Sequence, residues 1–170
     1  MIDAPADTTI SDMLDRGEID GFMAPRAPFG AARSNPDIGW LFDDPVAVAK
    51  DYYRRTGIFP IMHVLGVRKT LAEQHPWLPG ALFKAFEQSK AAALEKLSDT
   101  SATKVTLPFV EEQLKSARDT LGDNYWAYGV PDSLKTLEAF TRHHHQQGLS
   151  SRHVPVQELF HPSTYETYKI

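Results

Sequence analysis

The sequence predicts an α/β fold: two or three short strands and six or seven helices, forming a mixed sheet flanked by helices that looks short of strands. Three observations predict it. The run "IFPIMHVLGV" at 58–67 is apolar on both alternating faces, the pattern of a strand covered from two sides. Several longer segments carry apolar residues at helical spacing. Asp44 followed by Pro45 is a helix start, a capping carboxylate and then a proline at the first helical position.

Taken in order, the elements have local reasons. Thr8 or Thr9 can cap a first helix, with Asp12 placed for a capping box and Ile10, Met13 and Leu14 on one stripe. Gly17 suits its end. "IDGFMAP" at 19–25 reads as a short strand stopped by Pro25, followed by a proline-rich loop over 25–37. "IGWLF" at 38–42 reads as a second brief strand. A helix from Pro45 ends at Gly57, with Arg54 and Arg55 in its last turn, where cations suit the dipole. The 58–67 strand comes next, then a short helix in "RKTLAEQHP" and a long one over 77–99. Leu82, Phe86, Ala93 and Leu97 trace that helix's buried stripe, with Lys84, Glu87, Lys90 and Glu95 mostly turned away. Further helices are predicted over 108–122, closed by Gly122, and over 132–148, capped by Asp132 or Ser133. An aromatic loop, "DNYWAYGVP", separates them. The tail has one helical turn around 156–160 and then frays.

Composition bounds the function. The 170 residues are 42% hydrophobic and 24% charged, as in an ordinary globular protein. A net charge of −4 and a pI near 5.9 argue against a nucleic-acid partner. No apolar run is long enough to span a bilayer, so no membrane partner is expected. The absence of cysteine excludes disulfides and thiolate metal sites, and "MIDAPADTT" lacks the features of a signal peptide. A cytoplasmic location fits these features. The abrupt start, with a strand and few segments to pair with it, suggests the second part of a longer protein.

Four residues stand out as candidates. His63 sits at the centre of the apolar run; it is either a core histidine bonded to a carbonyl or a proton-transfer residue facing a cleft. Arg26 directly follows the predicted 19–25 strand, where ligands gather in open sheets; it is either a guanidinium that grips a carboxylate or a solvated loop arginine. Tyr53 and Arg55 precede the central run. Arg33 reads as a solvated loop residue. The "HHH" run, 143–145, reads as a helix end, because consecutive helical residues point about 100° apart and cannot converge on one ion; no metal site is expected. Tyr125, Trp126 and Tyr128 form either an aromatic wall for a ring-shaped ligand or a loop packed on helices. Motifs for phosphate loops, dinucleotides, serine hydrolases and metalloproteases are absent.

The stretches "LDRGEIDGFMAPRAP", "YYRRTGIFPIMHVLGVRK", "EQHPWLPGALFKAFEQSK", "GDNYWAYGV" and "KTLEAFTRHHHQQGLSSR" together resemble the 4,5-dihydroxyphthalate decarboxylase family. The resemblance implies a type 2 periplasmic-binding-protein-like fold of two lobes around a cleft, with this chain as its C-terminal half. Residues 1–24 would be the end of the second lobe and a crossing strand, and 25–170 the C-terminal part of the first lobe. It implies decarboxylation of a hydroxylated aromatic dicarboxylate, here 4,5-dihydroxyphthalate to protocatechuate and carbon dioxide, without a cofactor. The partner would be that small aromatic carboxylate, and an unpaired sheet edge would favour a homo-oligomer. From chemistry and position, His63 is expected to supply a proton, Arg26 to hold a carboxylate, and Tyr53 or Arg55 to line the cleft. Two other readings stay open: a receptor that binds an aromatic carboxylate without reacting it, and a chain with no activity of its own.

Overall fold

The computed structural model describes residues 3–101 and 106–165, with the side chain of residue 31 left aside. The chain divides into two compact units, Met1–Val48 and Ala49–Ile170. Among the described residues there are seven α-helices, two short 3-10 turns and no β-strand.

In the first unit, α1 (Ile10–Asp15) begins with the predicted capping box. The Thr9 hydroxyl accepts from the Asp12 amide at 3.1 Å, and the Thr9 amide donates to the Asp12 carboxylate at 3.1 Å. Gly17 closes the helix at φ +68°, and the next amide, Glu18, donates back to the Met13 carbonyl. α1 packs on a 3-10 turn, Gly30–Arg33, where Ala32 is buried. The fully buried Ser11 Oγ accepts from the Phe29 amide at 3.4 Å, and Asn35 Nδ2 donates to the Asp15 carboxylate at 3.0 Å.

In the second unit the helices are α3 (Lys69–Gln74), α4 (Leu78–Ser98), α5 (Val110–Leu121), α6 (Val130–Gln146) and α7 (Val156–Leu159). α2 (Pro45–Thr56) starts as predicted: Asp44 caps it through the Ala47 amide at 2.9 Å. The core is small. Val130, Leu137 and Val156 are buried together, with Leu134, Phe160 and Tyr165 packed against them. α6 contributes Val130, Leu134 and Leu137, a stripe at helical spacing, and lies against α7. The 3-10 turn Pro162–Thr164 lies against α4, where Ser163 approaches Gly80.

The expected mixed sheet, and with it the partial periplasmic-binding-protein-like lobe, is overturned. Residues 19–25, 38–42 and 58–67 run without a ladder partner among the described residues. Apolar alternation marks a strand only when neighbouring backbone satisfies its amides and carbonyls, and none is at hand. These stretches are exposed instead: Met23 is 99% accessible, Leu41 87% and Val64 71%. α6 also begins earlier than its expected cap, at Val130, because Gly129 adopts φ +87° and Pro131 fits the first turn. The tail beyond 165, where fraying was expected, lies outside the described residues.

α4 corrects a second expectation. Its half-buried residues include Leu82 and Leu97, as expected, with Phe83, Glu87, Lys90 and Leu94, whereas Phe86 and Ala93 are exposed. Lys90 and Glu87 tolerate cover because they satisfy each other at 2.9 Å, with Lys90 only 10% accessible. Its ammonium also lies 4.5 Å from the centre of the Tyr128 ring.

Candidate functional site

Arg26 lies in the first unit, at an exposed bend before the 3-10 turn. Among the described residues its guanidinium has no hydrogen-bond or ion-pair partner. Arg33 ends that turn and is exposed.

Tyr53, Arg55 and His63 lie in the second unit. Tyr53 is half-buried on α2, and its carbonyl accepts from the Gly57 amide at 2.6 Å. Arg55 Nε donates to Asp51 one turn earlier at 2.8 Å, an exposed pair of small energetic weight. His63 is exposed in the irregular 58–67 stretch, so the reading of it as a bonded core histidine is overturned. No hydrogen bond joins His63 to Tyr53 or Arg55. An exposed imidazole keeps both nitrogens available for proton transfer.

The histidines of α6 fan out, as their spacing requires. His144 contacts Phe140, and His145 turns to the Ser150 carbonyl, 3.2 Å away, and to the His153 ring. Among the described residues no three potential ligands cluster for a metal. A shallow groove between α4 and α5 contains Lys115 and Arg118, but both are engaged. Lys115 holds Asp119 at 2.6 Å, which raises the lysine pKa, and Arg118 donates to Ser98 at 2.9 Å.

The second unit also has an aromatic corner that the sequence only partly announces. The Phe59 and Trp126 rings meet edge to face with centroids 5.7 Å apart. The loop carrying Trp126 is fixed at both ends. Asn124 Nδ2 donates to Asp132 in the first turn of α6 at 3.1 Å, and Gly129 packs against Phe83 so closely that a Cβ there would lie 3.1 Å from the ring. Gly57, at φ +64°, borders the same stretch as Phe59, and a Cβ on it would come within 3.2 Å of Lys135 Nζ. Trp126 belongs to the "NYWAYG" cluster seen in the sequence. Phe59, Gly57 and Lys135 were missed because no local pattern links residues more than 60 positions apart.

No family model matches the chain. The whole chain is 55% identical over 170 residues to 4,5-dihydroxyphthalate decarboxylase of Comamonas testosteroni. A 51-residue stretch is 41% identical to 4,5-dihydroxyphthalate decarboxylase of Pseudomonas putida, covering 30% of this chain and 20% of that protein. The chain spans 52% of the Comamonas protein, about half its length. An identity of 55% over the whole chain marks common descent, and the chain belongs to the 4,5-dihydroxyphthalate decarboxylase family.

Proposed function

We propose that this chain acts in the decarboxylation of 4,5-dihydroxyphthalate to 3,4-dihydroxybenzoate (protocatechuate) and carbon dioxide, as a carboxy-lyase. The observation that carries the reading is the 55% identity to the Comamonas decarboxylase along all 170 residues.

The substrate's chemistry says what the residues must do. Each carboxylate lies para to a hydroxyl. Loss of the phenolic proton pushes electrons into the ring, and the carbon bearing the carboxylate takes a proton. The bond to the carboxylate then breaks, its electron pair restores the aromatic ring, and carbon dioxide departs. One proton is consumed for each carbon dioxide released. In this reading His63 delivers the proton to the ring carbon. Its imidazole is exposed and so open to a substrate, and an imidazole is the commonest general acid and base. Tyr53 and Arg55 line the approach from α2. Arg26 is assigned a carboxylate-holding role on its chemistry alone, as an exposed guanidinium without a partner. Self-association belongs to the same reading, because a long apolar stretch lies open to solvent.

The test is direct. The purified chain is given 4,5-dihydroxyphthalate, and 3,4-dihydroxybenzoate is followed by absorbance and chromatography. Product should appear, and His63→Ala should slow it by about a hundredfold or more, the usual weight of a general acid. A folded His63→Ala variant with undiminished turnover removes His63 from the mechanism. Ligand-induced thermal stabilisation without product would favour a binding protein instead.

A further inference from the structure

We propose that Lys135, together with Phe59 and Trp126, forms the subsite that seats the substrate's ring and one carboxylate. This deepens the reading above and rests on it.

The argument starts from charge. Lys50, Lys69, Lys90 and Lys115 in the second unit each have a hydroxyl or carboxylate partner. Lys84, Lys96 and Lys135 have neither among the described residues, so the lack of a partner does not by itself single out Lys135. What distinguishes Lys135 is its place: its ammonium lies 3.2 Å from where a Gly57 Cβ would stand, at the start of the stretch that carries Phe59. Lys135 is exposed, and its ammonium beside this turn is open to an external anion.

The aromatic pair supplies the second half. Phe59 follows Gly57 by two residues, so at most about 7 Å of chain separates the turn beside Lys135 from the residue that carries the ring. Phe59 is 37% accessible and Trp126 41%, so each keeps ring surface open while fixing the other edge to face. An electron-rich ring can add to such a pair in an offset or edge arrangement. The corner is preorganised: Asn124 and Gly129 anchor the Trp126 loop to α6 and α4, and α6 carries Lys135. The chemistry recognised is therefore an anionic aromatic acid, with the ammonium on a carboxylate and the rings on its face or edge. Lys135 here is a binding residue; the proton chemistry stays with His63.

The test uses phthalate, which has the ring and both carboxylates but no hydroxyl to start the reaction, and cyclohexane-1,2-dicarboxylate, which has the charges without the ring. Binding to the full chain is measured by calorimetry and by NMR shifts at Phe59 and Trp126. The wild type should bind phthalate more tightly than the cyclohexane diacid. Lys135→Met should weaken phthalate binding by about tenfold or more, the scale of one charged hydrogen bond. Lys135→Arg should retain it within a few-fold, and Trp126→Leu should remove the preference for the aromatic acid. Lys96→Met, in the last turn of α4, serves as a control and should change nothing. If Lys135→Met fails to fold, Trp126→Phe and Lys135→Arg are read against the same shifts.

Phthalate binding unaffected by Lys135→Met, equal affinity for the two diacids, or no binding by the wild type would each overturn the proposal. Turnover of 4,5-dihydroxyphthalate is run in parallel to separate the two readings. Product formed with unchanged KM in Lys135→Met defeats this subsite and leaves the decarboxylase reading standing. Lys135-dependent phthalate binding without any turnover defeats the decarboxylase reading and leaves the subsite.

Discussion

Gly57 shows how one residue can serve backbone and site together. Its φ of +64° ends α2, and its missing side chain leaves room for Lys135 Nζ. Gly57→Ala should therefore cost about 1–2 kcal/mol from the left-handed backbone alone, and it should also shift the Lys135 ammonium. Denaturant unfolding reads the first effect and phthalate affinity the second; a variant as stable as the wild type would show that the turn relaxes without strain. Leu137 tests the core in the same way. It is 6% accessible and sits between Val130 and Val156. Leu137→Ala should destabilise the second unit by about 2–5 kcal/mol, visible as a lower denaturation midpoint. A loss well under 1 kcal/mol would mean that the cluster is loosely packed. His63 carries the opposite lesson, since the same apolar neighbours that suggested burial are exposed beside it.

At the level of elements, α1 is held by short-range chemistry that depends on pH. Hydrogen bonds from the Thr9 side chain and then its backbone hold the Asp12 carboxyl below its ordinary value of 3.8. A depressed folded-state value means that the cap's contribution is complete above the ordinary aspartate range and is lost as pH falls through the folded value. Amide exchange over Ile10–Asp15 should therefore stay slow at neutral pH and speed up on strong acidification, and Asp12→Asn should flatten that dependence. Exchange indifferent to pH, after correction for its intrinsic rate, would contradict the capping account. Helix ends were legible in the sequence because the signals are local: Thr9 with Asp12, Asp44 with Pro45, and glycines 17, 57 and 122 at positive φ. The expected strands failed, because alternation names a face without naming the neighbour that must cover it. The stripe of α4 was misread for a related reason: Lys90 and Glu87 look outward-facing until the pairing and the Tyr128 ring are known. Of the site, the aromatic loop and the candidate cations could be read from residue types. The Phe59–Trp126 contact and the position of Lys135 could not, since they join distant parts of the chain.

On the scale of the whole molecule, the small core contrasts with the apolar residues left open. Phe59, Ile61, Met62, Val64 and Leu65 are all accessible along one stretch without regular structure. Such a run favours association. Sedimentation at rising concentration should show larger species, and Met62→Glu with Val64→Glu should shift the distribution toward monomer; a chain monomeric at every concentration would contradict self-association. The chain's share of the Comamonas protein, 52%, makes its own catalytic competence the central claim. The most direct test supplies 4,5-dihydroxyphthalate labelled with carbon-13 in both carboxylates to the purified chain and follows the carboxyl carbons by NMR. The account predicts one labelled carbon dioxide and one labelled 3,4-dihydroxybenzoate per substrate consumed, at a rate that collapses in His63→Ala. Labelled substrate recovered intact after prolonged incubation with folded protein would contradict it.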